Sequence, residues 1–131
     1  MILWIIQNGV IDLAHNPSSF IPLRPVEFLL LLSLAEQDQH GYGLTQAIAA
    51  RTAGAVQLEP GNLYKVIKRL VADGLVEAAE HREVAELDNE RRRYYRLTRL
   101  GARVAALEAE RLQALLATSA VQALTKRFGA T

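Results

Sequence analysis

The chain has 131 residues, half of them apolar, a formal net charge of +1 and no cysteine. That length supports one packed domain plus an additional element, and the lack of cysteine excludes disulfide frameworks and cysteine-based zinc fingers while being compatible with a reducing cytoplasm, the compartment expected here. A near-neutral total excludes a polycation, so any affinity for nucleic acid must come from where the cations lie.

Residues 1–24 read as an N-terminal extension, with an apolar start, a short helix or strand through Ala14 and a turn at Asn16-Pro17-Ser18-Ser19. The apolar start is far shorter than the ~20 residues that span a bilayer and has no basic lead or small-residue cleavage site, so neither an anchor nor a signal peptide is expected. Its apolar residues would be awkward in water, which favours packing on the main domain or at a dimer contact over a dispensable upstream extension. Pro25 opens a helix through Phe28, Leu29, Leu31, Leu32 and Leu34. That helix is apolar nearly all round, the mark of a central core helix, and is expected to end near Gly41. His40-Gly41-Tyr42-Gly43 reads as a turn whose glycines permit unusual backbone angles, and a second helix carrying Leu44, Ala47, Ile48 and Arg51 runs to about Gly54.

The most informative stretch follows. Leu63, Val66, Ile67 and Leu70 recur at helical spacing and define one buried stripe, while Asn62, Lys65, Lys68 and Arg69 fall largely outside it. Pro60 sits where a first-turn proline is tolerated, and Gly74 follows where a left-handed stop is easiest for glycine. Taken alone, such a segment is an ordinary surface helix with a solvated basic face. What comes next changes that reading. Residues 75–79 form a short strand, residues 81–90 a polar loop and residues 91–97 a tyrosine-rich strand, making a β-hairpin. Alternation puts Tyr95 and Leu97 on the core side of the second strand and Arg92, Tyr94 and Arg96 on the other. Three helices followed by such a hairpin describe a winged helix, an α+β and mainly α architecture.

From Thr98, a possible N-cap, a final helix is expected as far as Phe128, with Leu107, Leu112, Leu115, Leu116, Val121 and Leu124 on its apolar surface. It is too long to be covered by so small a domain, so a second copy of the chain is expected to cover it. Arg111 interrupts one heptad register, which favours crossed helices over an extended coiled coil. The organisation expected is an extension at 1–24, a winged-helix domain at 25–97 and a dimerisation helix at 98–128.

Four motifs in order carry a family resemblance: His40-Gly41-Tyr42-Gly43-Leu44, Gly61-Asn62-Leu63-Tyr64, Leu70 with Asp73-Gly74-Leu75-Val76, and Arg93-Tyr94-Tyr95-Arg96-Leu97-Thr98 with Gly101. Over roughly residues 26–116 the chain resembles the PadR-like transcriptional regulators, in their shorter subgroup with a single C-terminal helix. The resemblance implies a dimeric, usually repressing, DNA-binding protein. Two departures stand out. Asp88-Asn89-Glu90 replaces the usual glycine or proline ahead of the basic-tyrosine strand, so an acidic wing tip would be repelled by phosphate, and the N-terminal segment exceeds the usual family start. Some shorter relatives bind flat aromatic compounds between the dimer helices through a tryptophan. The single tryptophan here, Trp4, is far from the last helix in sequence, so an effector is expected without a chemical identity.

The residues assigned to double-stranded DNA are therefore Asn62, Tyr64, Lys65, Lys68 and Arg69 on the third helix and Arg91, Arg92 and Arg93 at the wing base. Tyr64 has a competing role in packing against the second helix. Neither an enzyme nor a cofactor is expected: His15, His40 and His81 lack metal-like spacing, and there is no cysteine nucleophile, phosphate-cradling glycine loop or paired-carboxylate cleft. The competing reading is a winged-helix protein-interaction module that does not read DNA. A MarR-like or ArsR-like winged helix would share DNA binding but lacks these motifs.

Overall fold

A computed structural model of the chain describes residues 16–79 and 93–130; the expectations for residues 1–15, for the loop at 81–90 and for Arg91 and Arg92 lie outside them. A short 3-10 helix at Pro17–Phe20 leads into α1 (Pro25–Glu36), β1 (Gln39–His40), α2 (Gly41–Arg51), α3 (Pro60–Ala72), β2 (Val76–Ala79), β3 (Tyr94–Leu97), α4 (Arg99–Leu116) and α5 (Ser119–Phe128). Leu30, Leu31 and Leu34 of α1 sit at the centre of one core with Leu44 and Ile48 of α2, Leu63, Ile67 and Leu70 of α3, and Val104 of α4. Full burial of each such side chain contributes about 1.5–3 kcal/mol.

The chain between α1 and α2 departs from the expected turn. α1 ends at Glu36, and Gln39 and His40 form a strand that pairs antiparallel with Tyr95 and Tyr94. Gly41 and Gly43 lie inside α2, and neither has a positive φ. Their small size serves close approach instead: a Cβ on Gly41 would come within 2.6 Å of the Tyr64 hydroxyl oxygen, and one on Gly43 would overlap the Gln39 side chain. His40 caps α2, its Nδ1 accepting the Gly43 N–H at 3.0 Å.

α3 ends as its glycine foretells. Gly74 has φ +79°, the Leu75 N–H donates to the Leu70 carbonyl at 2.9 Å and the Gly74 N–H to that of Val71 at 3.0 Å. These are the two bonds of a Schellman stop. The chain then enters β2, which pairs antiparallel with β3 in the order β1-β3-β2, placing Val76 opposite Leu97 and Ala78 opposite Tyr95. Tyr95 is buried, Leu97 is half-buried, and Arg96 is exposed and bonded to its cross-strand partner Glu77 at 2.8 Å.

The start of α4 is locked onto the end of α3. Thr98 Oγ1 donates to the Gly74 carbonyl at 2.6 Å and accepts the Gly101 N–H at 2.9 Å. A Cβ on Gly101 would overlap the Leu75 carbonyl oxygen. The expected final helix is divided: α4 stops at Leu116 and α5 starts at Ser119, with Thr118 extended at ψ 151°. The freed carbonyls find local donors, since Thr118 Oγ1 bonds to the Leu115 carbonyl at 2.8 Å and Gln122 Nε2 to that of Leu116 at 2.8 Å.

The latter part of the N-terminal segment is built into the domain. Pro17 and Leu23 are buried, and Phe20 and Ile21 pack against the core. The Leu23 N–H donates to the carboxylate of Glu108 on α4 at 3.0 Å.

Candidate nucleic-acid interface

At about 100° per residue, Gly61, Lys65, Lys68 and Ala72 fall within about 40° of one line along α3, while Leu63, Ile67 and Leu70 lie about 180–240° away from Gly61. Burial follows this geometry, with those three apolar residues at 1–2% exposure and Gly61, Asn62, Lys65, Lys68 and Ala72 exposed. The pole of α3 that faces away from the core is thus made of two lysines between two very small residues. Helical order, the Schellman stop and the apolar stripe fix the helix so that this pole is presented to solvent.

The flanks differ. On one side lie Asn62 and Arg69, the latter with its Nε 3.8 Å from a carboxylate oxygen of Glu27 on α1. Glu27 also accepts the Arg24 N–H at 2.9 Å, so the first turn of α1 holds the carboxylate that Arg69 meets. Part of the Arg69 charge is directed toward the protein, which leaves Lys65 and Lys68 as the less encumbered cations of this helix. On the other side lie Tyr64 and Val71. Tyr64 is half-buried with its hydroxyl against Gly41, so the packing role weighed for it is real.

Between α3 and the sheet runs a groove of about 550 Å³ lined by Tyr64, Ile67, Lys68, Val71, Ala78, Arg93 and Tyr95. It brings Lys68 and Arg93, far apart in sequence, to the two sides of one concavity. Arg93 is exposed; Arg91 and Arg92 lie outside the described residues. Arg96, counted among the basic residues of the wing segment, is matched by Glu77 and adds little free charge.

Two contributors to this arrangement lie outside the assigned residues. Val71 is 41% exposed yet lines the groove beside Lys68. Its position one residue past the last buried leucine was the available signal. Glu108 is 2% exposed, bonded by Arg111 at 2.6 and 3.0 Å and by the Leu23 N–H. Its carboxyl is held below the ordinary value, first by the Arg111 hydrogen bonds and then by the Leu23 N–H and the Arg111 charge, against the opposing effect of burial. The signal in the sequence is an acid four residues after Val104, in line with the buried stripe of α4.

Of the residues assigned to a dimer contact, Leu115, Leu116 and Leu124 are 49%, 57% and 61% exposed, and Leu107, Leu112 and Val121 are half-buried. Phe128 extends the same exposed apolar series at 70%. No group of three or more potential metal ligands occurs among the described residues, and no described helix is long and apolar enough to cross a membrane.

Three helices, a hairpin pairing back onto β1 and an exposed cationic third helix define the winged-helix fold of DNA-binding regulators. Residues 30–107 match the model of the transcriptional regulator PadR-like family, and the chain belongs to that family. It is 34% identical over 76 residues to an uncharacterized protein, protein X, of Lysinibacillus sphaericus, covering 58% of this chain and 67% of that one. Among solved structures it resembles a transcriptional regulator from Clostridium thermocellum (TM-score 0.59, 23% identity, 80% of this chain and 90% of that one). It also resembles a PadR family transcription regulator from Clostridium difficile (TM-score 0.57, 20% identity, 80% and 98%) and RosR of H. salinarum (TM-score 0.60, 21% identity, 82% and 91%). At these identities the structural likenesses speak for the fold.

Proposed function

We propose that the protein is a cytoplasmic, homodimeric transcriptional repressor that binds a pseudo-palindromic operator and is released by a small-molecule effector. The observation that carries this reading is the outward pole of α3, where Lys65 and Lys68 stand opposite the buried stripe. In a two-fold dimer, two such helices enter successive major grooves about 34 Å apart. Lys65, Lys68 and Asn62 then reach base edges and phosphates, while Arg93, together with Arg91 and Arg92, neutralises flanking phosphate. The exposed apolar surfaces of α4 and α5 supply the contact with the second copy. Release follows from the lock between α3 and α4: a change in how the dimer helices cross moves both reading helices.

The test is binding of the Lys65→Ala, Lys68→Ala double variant to a duplex selected by the parent from a randomised library, across a salt series. Loss of two phosphate contacts lowers the slope of log affinity against log salt by about two units, and loss of a base contact removes about 1–3 kcal/mol of discrimination. A folded dimeric double variant that binds as tightly as the parent at moderate salt would give the lead to a protein-interaction module.

A further inference from the structure

Each described glycine but one has a reason to be glycine within the protomer. Gly54 and Gly74 have positive φ, a Cβ on Gly41, Gly101 or Gly129 would collide with the Tyr64 side chain or with backbone, and one on Gly43 would displace the Gln39 side-chain amide. Gly61 has neither reason. It is the second residue of α3, with no positive φ, and a Cβ built there meets no heavy atom of the described residues within 4 Å. Glycine is a poor helix residue, so its presence works against the helix it opens.

Gly61 also opens the outward pole it shares with Lys65 and Lys68. A side chain there would tilt toward the helix N-terminus, over the first-turn amides. Of the N–H groups there, that of Leu63 donates to the Glu59 carbonyl at 3.0 Å, while those of Gly61 and Asn62 receive no side-chain cap from Glu59. The bulky neighbours Tyr64 and Val71 lie on the flank of α3 that lines the groove, so on the outward line the side chains nearest Gly61 are the long, flexible ones of Lys65 and Lys68.

We infer that Gly61 is a DNA-contact position that acts through its missing side chain: a base edge on the major-groove floor comes into van der Waals contact with the α3 backbone there. The inference rests on α3 being the reading helix and adds the position that sets how deeply its first turn enters the groove. Lys65 and Lys68, long and flexible, can fold aside at that depth. A methyl group on the backbone cannot.

The test compares the parent with Gly61→Ala and Gly61→Leu on two duplexes, one selected by the parent from a randomised library and one a shuffle of it. Affinity of Gly61→Ala for the selected duplex is expected to fall about tenfold, the scale of one lost base match, with a larger fall for Gly61→Leu and little change on the shuffled duplex. Its melting temperature should be equal to or above the parent's, because alanine is the better helix former. Both variants binding the selected duplex within about twofold of the parent, while Lys65→Ala, Lys68→Ala is weakened, would overturn the contact and leave the reading helix in place. Equal losses on both duplexes would overturn it in favour of a phosphate contact. If the lysine variant is also unaffected, or the parent selects no sequence, the reading helix and this inference fall together.

Discussion

Glu108 is the only carboxylate among the described residues with almost no exposure, and it joins the N-terminal segment to α4: its oxygens take the Leu23 N–H and the Arg111 guanidinium. The lowered carboxyl value means that the folded state favours the ionised form. The stabilisation is therefore full above the ordinary value of 4.5 and is lost as pH falls through the lower folded value. Glu108→Gln is expected to cost about 1–2 kcal/mol at neutral pH, since an amide weakens the charge-assisted bonds to Leu23 and Arg111. Urea midpoints of parent and variant should converge on acidification below pH 4.5. A constant gap across that range would show that the carboxylate charge is not what holds Leu23. Nothing local announces this residue's partner, because the Leu23 amide is 85 positions away in the chain.

At the scale of elements, the parts legible in the sequence are those whose causes are local. The α3 stripe, the Schellman glycine and the Thr98 cap each depend on residues within one or two turns, and each is found in the structure. β1 was illegible because a two-residue strand exists only by pairing with β3, more than 50 residues on. The division between α4 and α5 was missed because Ala117 and Thr118 are not strong breakers; the stop depends on Thr118 and Gln122 side chains taking over carbonyls of α4. The N-terminal segment, read as an appendage, has its last part built into the domain, with the 3-10 helix Pro17–Phe20 against α4, the Leu23 N–H on Glu108, and Phe20 and Ile21 packed on the core. Removing residues 1–24 should lower unfolding free energy by about 3 kcal/mol or more, the scale of burying Leu23 and a further apolar side chain. An unchanged denaturation midpoint would mean that the segment does not stay docked in solution.

Across the described residues, α4 is fixed to the rest of the domain at two places and is more exposed beyond them. Thr98 and Gly101 tie its start to the α3 exit, and Glu108 ties its middle to Leu23. Beyond Arg111, Leu115 and Leu116 are exposed, followed by Leu124 and Phe128 on α5. Exposed apolar side chains on these two helices would suit a second copy of the chain, whose own α4 would then set the spacing of the two α3 helices. Leu112→Glu with Leu116→Glu is expected to give monomers by sedimentation while circular dichroism keeps the helical content, because neither side chain belongs to the central core. Affinity for a two-half-site duplex should fall at least about 100-fold, through loss of the second, effectively intramolecular, contact, while affinity for a single half-site changes little. A variant that still sediments as a dimer would move the interface off α4, and the α5 face carrying Leu124 and Phe128 would be the next surface to charge.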